Sequence, residues 1–253
     1  MATGSNSRST QRNKWLVPAI IIAVAVLLIG MVLAMNGDSD TVDSASEQST
    51  SEAQTAGVVP GQATTEAAQP DLTVVEGRDE LDPEAVGSVD APVGLVVFSD
   101  YQCHYCALWS ADTLPAMLEH VEDGNLRIEW RNLALFGDAS DRAARASYAA
   151  GLQGSFLEYH EALFSNGETR SEQQLSDESL TTLAGELGLD TQQFGTDFNS
   201  PETATAVASG VQQGIDLGVY STPAFILGGQ PIMGAQPTEV FENAFELALG
   251  EQE

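Results

Sequence analysis

From Val93 the chain runs Val-Gly-Leu-Val-Val-Phe before closing on Ser99-Asp100, a short apolar run with the length of a buried strand. Ala107 to about Val121 follows with helical periodicity: Leu108, Leu114, Met117, Leu118 and Val121 share one side, and Pro115 predicts a kink. Leu126-Arg127-Ile128-Glu129-Trp130-Arg131 alternates apolar and polar, the pattern of a half-buried strand. Helical patterns then cover about 138–151, 153–165, 173–187, 190–198 and 201–217. Pro223 to Leu227 reads as a strand, Gly228-Gly229 as a hairpin turn and Gln230-Pro231-Ile232 as its short partner. Thr238 to Leu249 closes as a helix with Val240, Phe241, Ala244, Phe245 and Ala248 on its apolar face. The order is β–α–β, a helical block at about 137–217, then β–β–α. This is a mixed α/β domain in which helices are inserted between two halves of one sheet.

The start of the chain has a different character. Residues 16–35, LVPAIIIAVAVLLIGMVLAM, carry no charge and as a helix would span about 30 Å, the thickness of a bilayer core. Pro18 falls in the first turn and Trp15 suits the interface. A cleaved secretory signal is the alternative, but the run is longer than such apolar regions, and Val32-Leu33-Ala34-Met35 offers no small-x-small cleavage site. The expectation is one transmembrane signal-anchor at 15–35. Arg8, Arg12 and Lys14 then hold residues 1–14 in the cytoplasm and place the rest outside it. Residues 36–78, rich in Ser, Thr, Ala, Glu, Gln and Asp, read as a disordered acidic linker, with Val74-Val75 either a short strand or its end. Residues 79–253 suit one domain.

Charge narrows the partners. Nine Lys and Arg face 37 Asp and Glu, a net charge of −28, and Lys14 is the only lysine. Such a surface repels nucleic acid. It fits either a salty habitat or a solubilising exterior.

Both cysteines lie in Ser99-Asp100-Tyr101-Gln102-Cys103-His104-Tyr105-Cys106, between the first strand and the helix after it. A zinc site needs about four ligands. Only His104, His120 and His160 are available and no second C-x-x-C exists, so no metal or cofactor is expected. Two inert core cysteines fit poorly with Gln102, His104 and Tyr105 around them. A bridge across two residues closes too small a loop to stabilise much. A cycling dithiol/disulfide is the reading that remains. At a helix N-terminus the unpaired N–H groups and the dipole stabilise a thiolate on Cys103, while Cys106, one turn on, resolves mixed disulfides. His104 either adds a positive charge beside Cys103 or is an exposed residue with no partner. Asp100 is a proton acceptor for the buried thiol or a solvated acid at a strand end. Trp109 lines a peptide groove or packs in the core, while Phe98, Ala224 and Phe225 read as core or near-site packing.

From about residue 86 to 250 the chain resembles the DsbA-like thiol:disulfide oxidoreductases, a branch of the thioredoxin superfamily. The matching stretches are Val96-Val97-Phe98-Ser99-Asp100-Tyr101-Gln102-Cys103-His104-Tyr105-Cys106, Gly218 to Gly229 with Ser221-Thr222-Pro223-Ala224-Phe225, and Pro231 to Gln236. The resemblance implies a thioredoxin-like fold with an inserted helical domain, and a cis Pro223 facing the cysteines. It implies that the Thr222 backbone bonds an extended substrate strand, with Tyr105 and Trp109 beside it. The Thr222 hydroxyl either reaches Cys103 or caps local backbone. It also implies exported polypeptides with reduced cysteines as substrates and a quinone-linked membrane oxidase as partner; the sequence shows no dimerisation module, so a monomer is expected. One departure stands out: strongly oxidising members carry proline then histidine between the cysteines, whereas here histidine comes first. Two other functions remain open, a reductase or isomerase on the same fold and a non-catalytic peptide-binding module.

Overall fold

The Val93–Ser99 run forms β2, the central strand of a five-stranded sheet, and all seven of its residues are buried. The computed structural model describes residues 71–251. The expected cytoplasmic tail at 1–14, the transmembrane segment at 15–35 and nearly all of the linker lie outside them. Among the described residues no helix is long and apolar enough to cross a membrane.

The remaining strands are β1 (Ala85–Val86), β3 (Leu126–Asn132), β4 (Ala224–Leu227) and β5 (Gln230–Met233), in the order β1-β3-β2-β4-β5. Strand β2 runs parallel to β3, pairing Val93 with Leu126 and Ser99 with Asn132. It runs antiparallel to β4, with Leu95 opposite Leu227 and Phe98 opposite Ala224. The parallel pair needs a crossover, supplied by α1 (His104–Asp112) and α2 (Leu114–Glu122). The expected single kinked helix is thus two, breaking at Thr113. Pro115 sits in the first turn of α2, where its missing N–H removes no helical bond.

The helical block comprises α3 (Asp138–Gly151), α4 (Phe156–Leu163), α5 (Asp177–Glu186), α6 (Thr191–Phe198) and α7 (Pro201–Asp216). Side chains cap three of these helices: Ser176 accepts from Ser179 N, Asp190 from Gln192 N and Gln193 N, and Ser200 from Thr203 N ahead of Pro201. The Gly228-Gly229 turn joining β4 to β5 has φ of 54° and 77°, both left-handed, as a two-residue hairpin loop needs. Helix α8 (Thr238–Gly250) covers one sheet face, burying Phe241 against Phe225 and Trp109 and Phe245 in the same core, stacked on His120.

One expectation fails on β3. Its alternation predicted a solvent face for Arg127 and Glu129, yet both are buried, at 4% and 2% exposure. The segment 71–84 lies over that face. Composition had assigned 71–78 to the linker, but Val75 is buried in a short 3-10 turn at Thr73–Val75 and Leu72 N donates to Gly229 O. Glu129 fastens this strap by accepting from Gly77 N at 2.7 Å, Arg78 N at 2.8 Å, Arg127 Nε at 2.8 Å and Arg131 Nη2 at 2.8 Å. A buried carboxylate is tolerated when its lone pairs are filled in this way.

Candidate active site

Three cores surround the sheet: one lies between it and helices α1, α2 and α8, one gathers Val96, Phe98, Leu133 and Ala224, and one fills the helical block and includes Tyr101, Cys103 and Cys106. Cys103 is the N-cap residue of α1 with extended backbone (φ −83°, ψ 115°), so the helix begins at His104, three residues earlier than its apolar periodicity suggested. The Cys103 carbonyl accepts from Cys106 N at 3.1 Å and Ala107 N at 3.2 Å, which fixes the first turn. Both cysteines are free thiols, Cys103 at 5% exposure and Cys106 at 1%.

The two sulfurs have opposite electrostatics. Cys103 is held down to about 6, chiefly by the hydrogen bond from the Cys106 thiol. Burial opposes this, and the Thr222 hydroxyl and the N–H groups of Cys106 and Tyr105 add to it. Burial pushes Cys106 up, and the neighbouring Cys103 sulfur raises it further. Ser99 contributes a hydroxyl on the Cys106 side. Sequence reasoning missed Ser99, whose only signal is a polar residue ending an otherwise apolar strand.

Across from the sulfurs, the Thr222–Pro223 peptide is cis and Pro223 is buried. The Cys103 thiol donates to the Thr222 carbonyl at 3.3 Å, while Gly234 N holds the Pro223 carbonyl at 2.9 Å. The Thr222 hydroxyl oxygen is itself buried and has no partner in the neutral dithiol. It reaches the Cys103 side rather than capping local backbone, and it is placed to donate once Cys103 ionises.

The other residues singled out in the sequence divide. His104 is exposed, its ring 5.7 Å from that of Tyr105, and among the described residues no hydrogen bond joins it to Cys103. Tyr105 is 62% exposed at the mouth of a groove of about 430 Å³ lined also by Leu108, Trp109, Pro237 and Thr238. Trp109 packs in the core, at 2% exposure against Phe225 and Phe241, and one edge of it borders this groove. Phe98, Ala224 and Phe225 are core. His160 is core as well, wholly buried between the Tyr101 hydroxyl at 3.0 Å and the Ser110 hydroxyl at 3.1 Å, and burial pushes it down to about 3. Asp100 is not the solvated acid considered from sequence: it is 1% exposed. Cys106 meets the Asp100 backbone, and the Asp100 side chain turns elsewhere. Among the described residues no three His, Cys, Asp or Glu gather to hold a metal ion.

A low-pKa thiol capping a helix, a shielded second thiol one turn on and a cis proline opposite define a thioredoxin-type dithiol site. The family model of the DSBA-like thioredoxin domain matches residues 94–246, and the chain belongs to that family. Among curated proteins it is similar to the probable disulfide bond formation protein D of Bacillus cereus, 26% identical over 151 residues, covering 58% of this chain and 70% of the relative. It is also 34% identical over 160 residues to a Na(+)/H(+) antiporter NhaA of Herminiimonas arsenicoxydans, a match spanning 61% of this chain but only 24% of the antiporter. Among solved structures, a thioredoxin-like oxidoreductase from Silicibacter pomeroyi superposes with a TM-score of 0.58 at 29% identity, covering 67% of this chain and 93% of that one.

Proposed function

We propose that the protein is a membrane-tethered, extracytoplasmic thiol:disulfide oxidoreductase that introduces disulfides into exported polypeptides. The observation that carries the direction is the thiol of Cys103, held down to about 6. A stabilised thiolate favours the reduced enzyme, so the Cys103–Cys106 disulfide is the stronger oxidant. A substrate thiolate attacks Cys103 Sγ, breaking the enzyme disulfide and releasing Cys106, which takes a proton. The second substrate thiolate then attacks the substrate sulfur of the mixed disulfide and expels Cys103 as a thiolate. The substrate has lost two electrons and the enzyme holds them as a dithiol. Cys103 is a good leaving group because its thiolate is stabilised. With two cysteines in the chain, regeneration falls to an outside oxidant, which we assign to a quinone-linked membrane oxidase.

Thr222 and Pro223 form the wall where an extended substrate backbone pairs, and Tyr105 and Trp109 border the groove beside it. The exported location is supported by the uncharged run 16–35 and the basic residues before it. The decisive experiment equilibrates the chain with glutathione and measures the potential of the cysteine pair. The expected value is less negative than about −200 mV; one near −270 mV, that of thioredoxin, would transfer the protein to the reductase class.

A further inference from the structure

Asp100 lies three residues before Cys103 and its side chain is spent on neighbours. One oxygen accepts from Gln102 N at 2.8 Å and from the buried Ser140 hydroxyl at 2.6 Å. The other accepts from Leu135 N at 2.5 Å and Phe136 N at 3.4 Å. This one side chain joins the turn that presents Cys103, the first turn of α3 and the loop between β3 and α3. The loop is fixed at its near end too, where Leu133 is buried and its N–H donates to Ser99 O at 2.8 Å. Ala134 is held at φ 50°, a conformation that a residue with a Cβ keeps only when its surroundings impose it.

What the loop presents is apolar. Leu135 is 43% and Phe136 58% exposed, and the bonds through Asp100 put both beside the residue that precedes Cys103. A scattered exposed apolar residue needs no explanation. Two in succession, tied through a buried acid to the residue that precedes Cys103, do. A polypeptide whose cysteine meets Cys103 passes the loop that Asp100 ties to Gln102, and this makes the substrate chain the occupant we assign to the wall. Asp138, exposed two residues beyond Phe136, disfavours an acidic side chain there.

We propose that Asp100 is a positioning residue for the exchange reaction: it fixes Leu135 and Phe136 as a preformed apolar wall that receives the apolar side chain flanking the cysteine of an extended polypeptide. This rests on the exchange activity proposed above and adds a substrate preference to it. A preformed wall lowers the ordering cost of binding, so its loss acts on binding more than on the chemical step.

The test uses the full-length chain and fluorescent dithiol peptides in which the residue beside the cysteine is Leu, Gly or Asp. Asp100→Asn should raise KM for the Leu peptide about fivefold, the equivalent of one net hydrogen bond. Turnover at saturation and the thiolate titration of Cys103 should hold, and KM for the Gly peptide should stay put. Phe136→Ala should give the same peptide-selective rise, with no further rise in the double variant. A fall in kcat at constant KM, or a shifted Cys103 titration in Asp100→Asn, means that Asp100 acts on the thiol and overturns the proposal. So does an equal KM rise for Leu and Gly peptides. If Asp100→Asn does not fold, Ser140→Ala, which removes one donor, and Phe136→Ala decide: unchanged KM for the Leu peptide in both overturns it. A wild-type chain that oxidises none of the peptides refutes the exchange reading itself, an outcome separable from a loss confined to the variants.

Discussion

Replacing Thr222 by valine removes one hydroxyl while keeping the side-chain shape, and the site assigns opposite consequences to it in the two ionisation states of Cys103. With the dithiol neutral, the hydroxyl oxygen is buried and unpartnered, so a methyl in its place should be neutral or mildly stabilising. With Cys103 ionised, the hydroxyl is one of the donors that hold it down to about 6. A hydrogen bond to a charged group contributes about 1.5–3 kcal/mol. At 1.36 kcal/mol per pKa unit, Thr222→Val should carry Cys103 upward by roughly 1–2 units. The reduced form loses that stabilisation near neutrality, so the potential should become more negative by about 30 mV. The sign follows from linkage: a thiol lowered on folding adds stability to the reduced form that is fully present above its unfolded value of 9.0 and is lost as pH falls through about 6. Denaturation of reduced and oxidised chain across that window should show the reduced form gaining with pH in the wild type and gaining less in Thr222→Val. Thiolate absorbance gives the titration directly. An unshifted titration would refute the donor role, and a reduced variant destabilised by more than about 1 kcal/mol at a pH well below 6, where Cys103 is neutral, would show that the hydroxyl has a partner in that state.

Three further outcomes are expected. Cys106→Ala should trap substrates as mixed disulfides where Cys103→Ala traps few, and it should also raise the Cys103 titration, because the Cys106 thiol is the largest contributor to lowering it; equal trapping by the two variants would reverse the assignment. His104→Ala should move the potential less than Thr222→Val does in the same glutathione equilibration, since the ring is exposed and leans on Tyr105. Glu84, buried with Asn132 and Ser147 donating to it, is pushed up to about 8 chiefly by burial. Stability from this group is fully present below its unfolded value of 4.5 and is lost as pH rises through about 8, so Glu84→Gln should flatten the decline and at pH 7 add up to about 3 kcal/mol in denaturant titrations.

The helical block was legible in the sequence because helical patterning is local, and the structure adds what starts three of its helices, the capping side chains of Ser176, Asp190 and Ser200. Gly228-Gly229 likewise announces its turn with no help from the rest of the chain. The cysteine pair and Thr222-Pro223 were legible for the same reason: each is a short word whose meaning is carried by its neighbours. Arg127 and Glu129 were misread because nothing in their own strand tells that residues 71–84, some fifty positions earlier, return to cover them. Asp100 shows the same gap within the site. Its four donors come from residues 102, 135, 136 and 140, and three of them reach it only after β3 has been built alongside β2. His104, prominent in the sequence by type and place, faces outward, whereas Ser99, unremarkable there, faces Cys106.

The agents that lower Cys103 are all at hydrogen-bond range: one thiol, one hydroxyl and two backbone N–H groups. None is a cation. The six arginines among the described residues are engaged elsewhere, on Glu76, Glu129, Asp82, Asp177, Asp141 or the Ala162 carbonyl. Mobile ions weaken an attraction between distant charges, with a screening length that shrinks from about 8 Å in physiological salt to about 3 Å at 1 M. They have little purchase on a buried dipole in contact with a sulfur. The reactivity of this thiolate is therefore insulated from brine: its titration and its potential should hold from dilute buffer to molar salt, while the rate at which a charged polypeptide finds so anionic a surface should not.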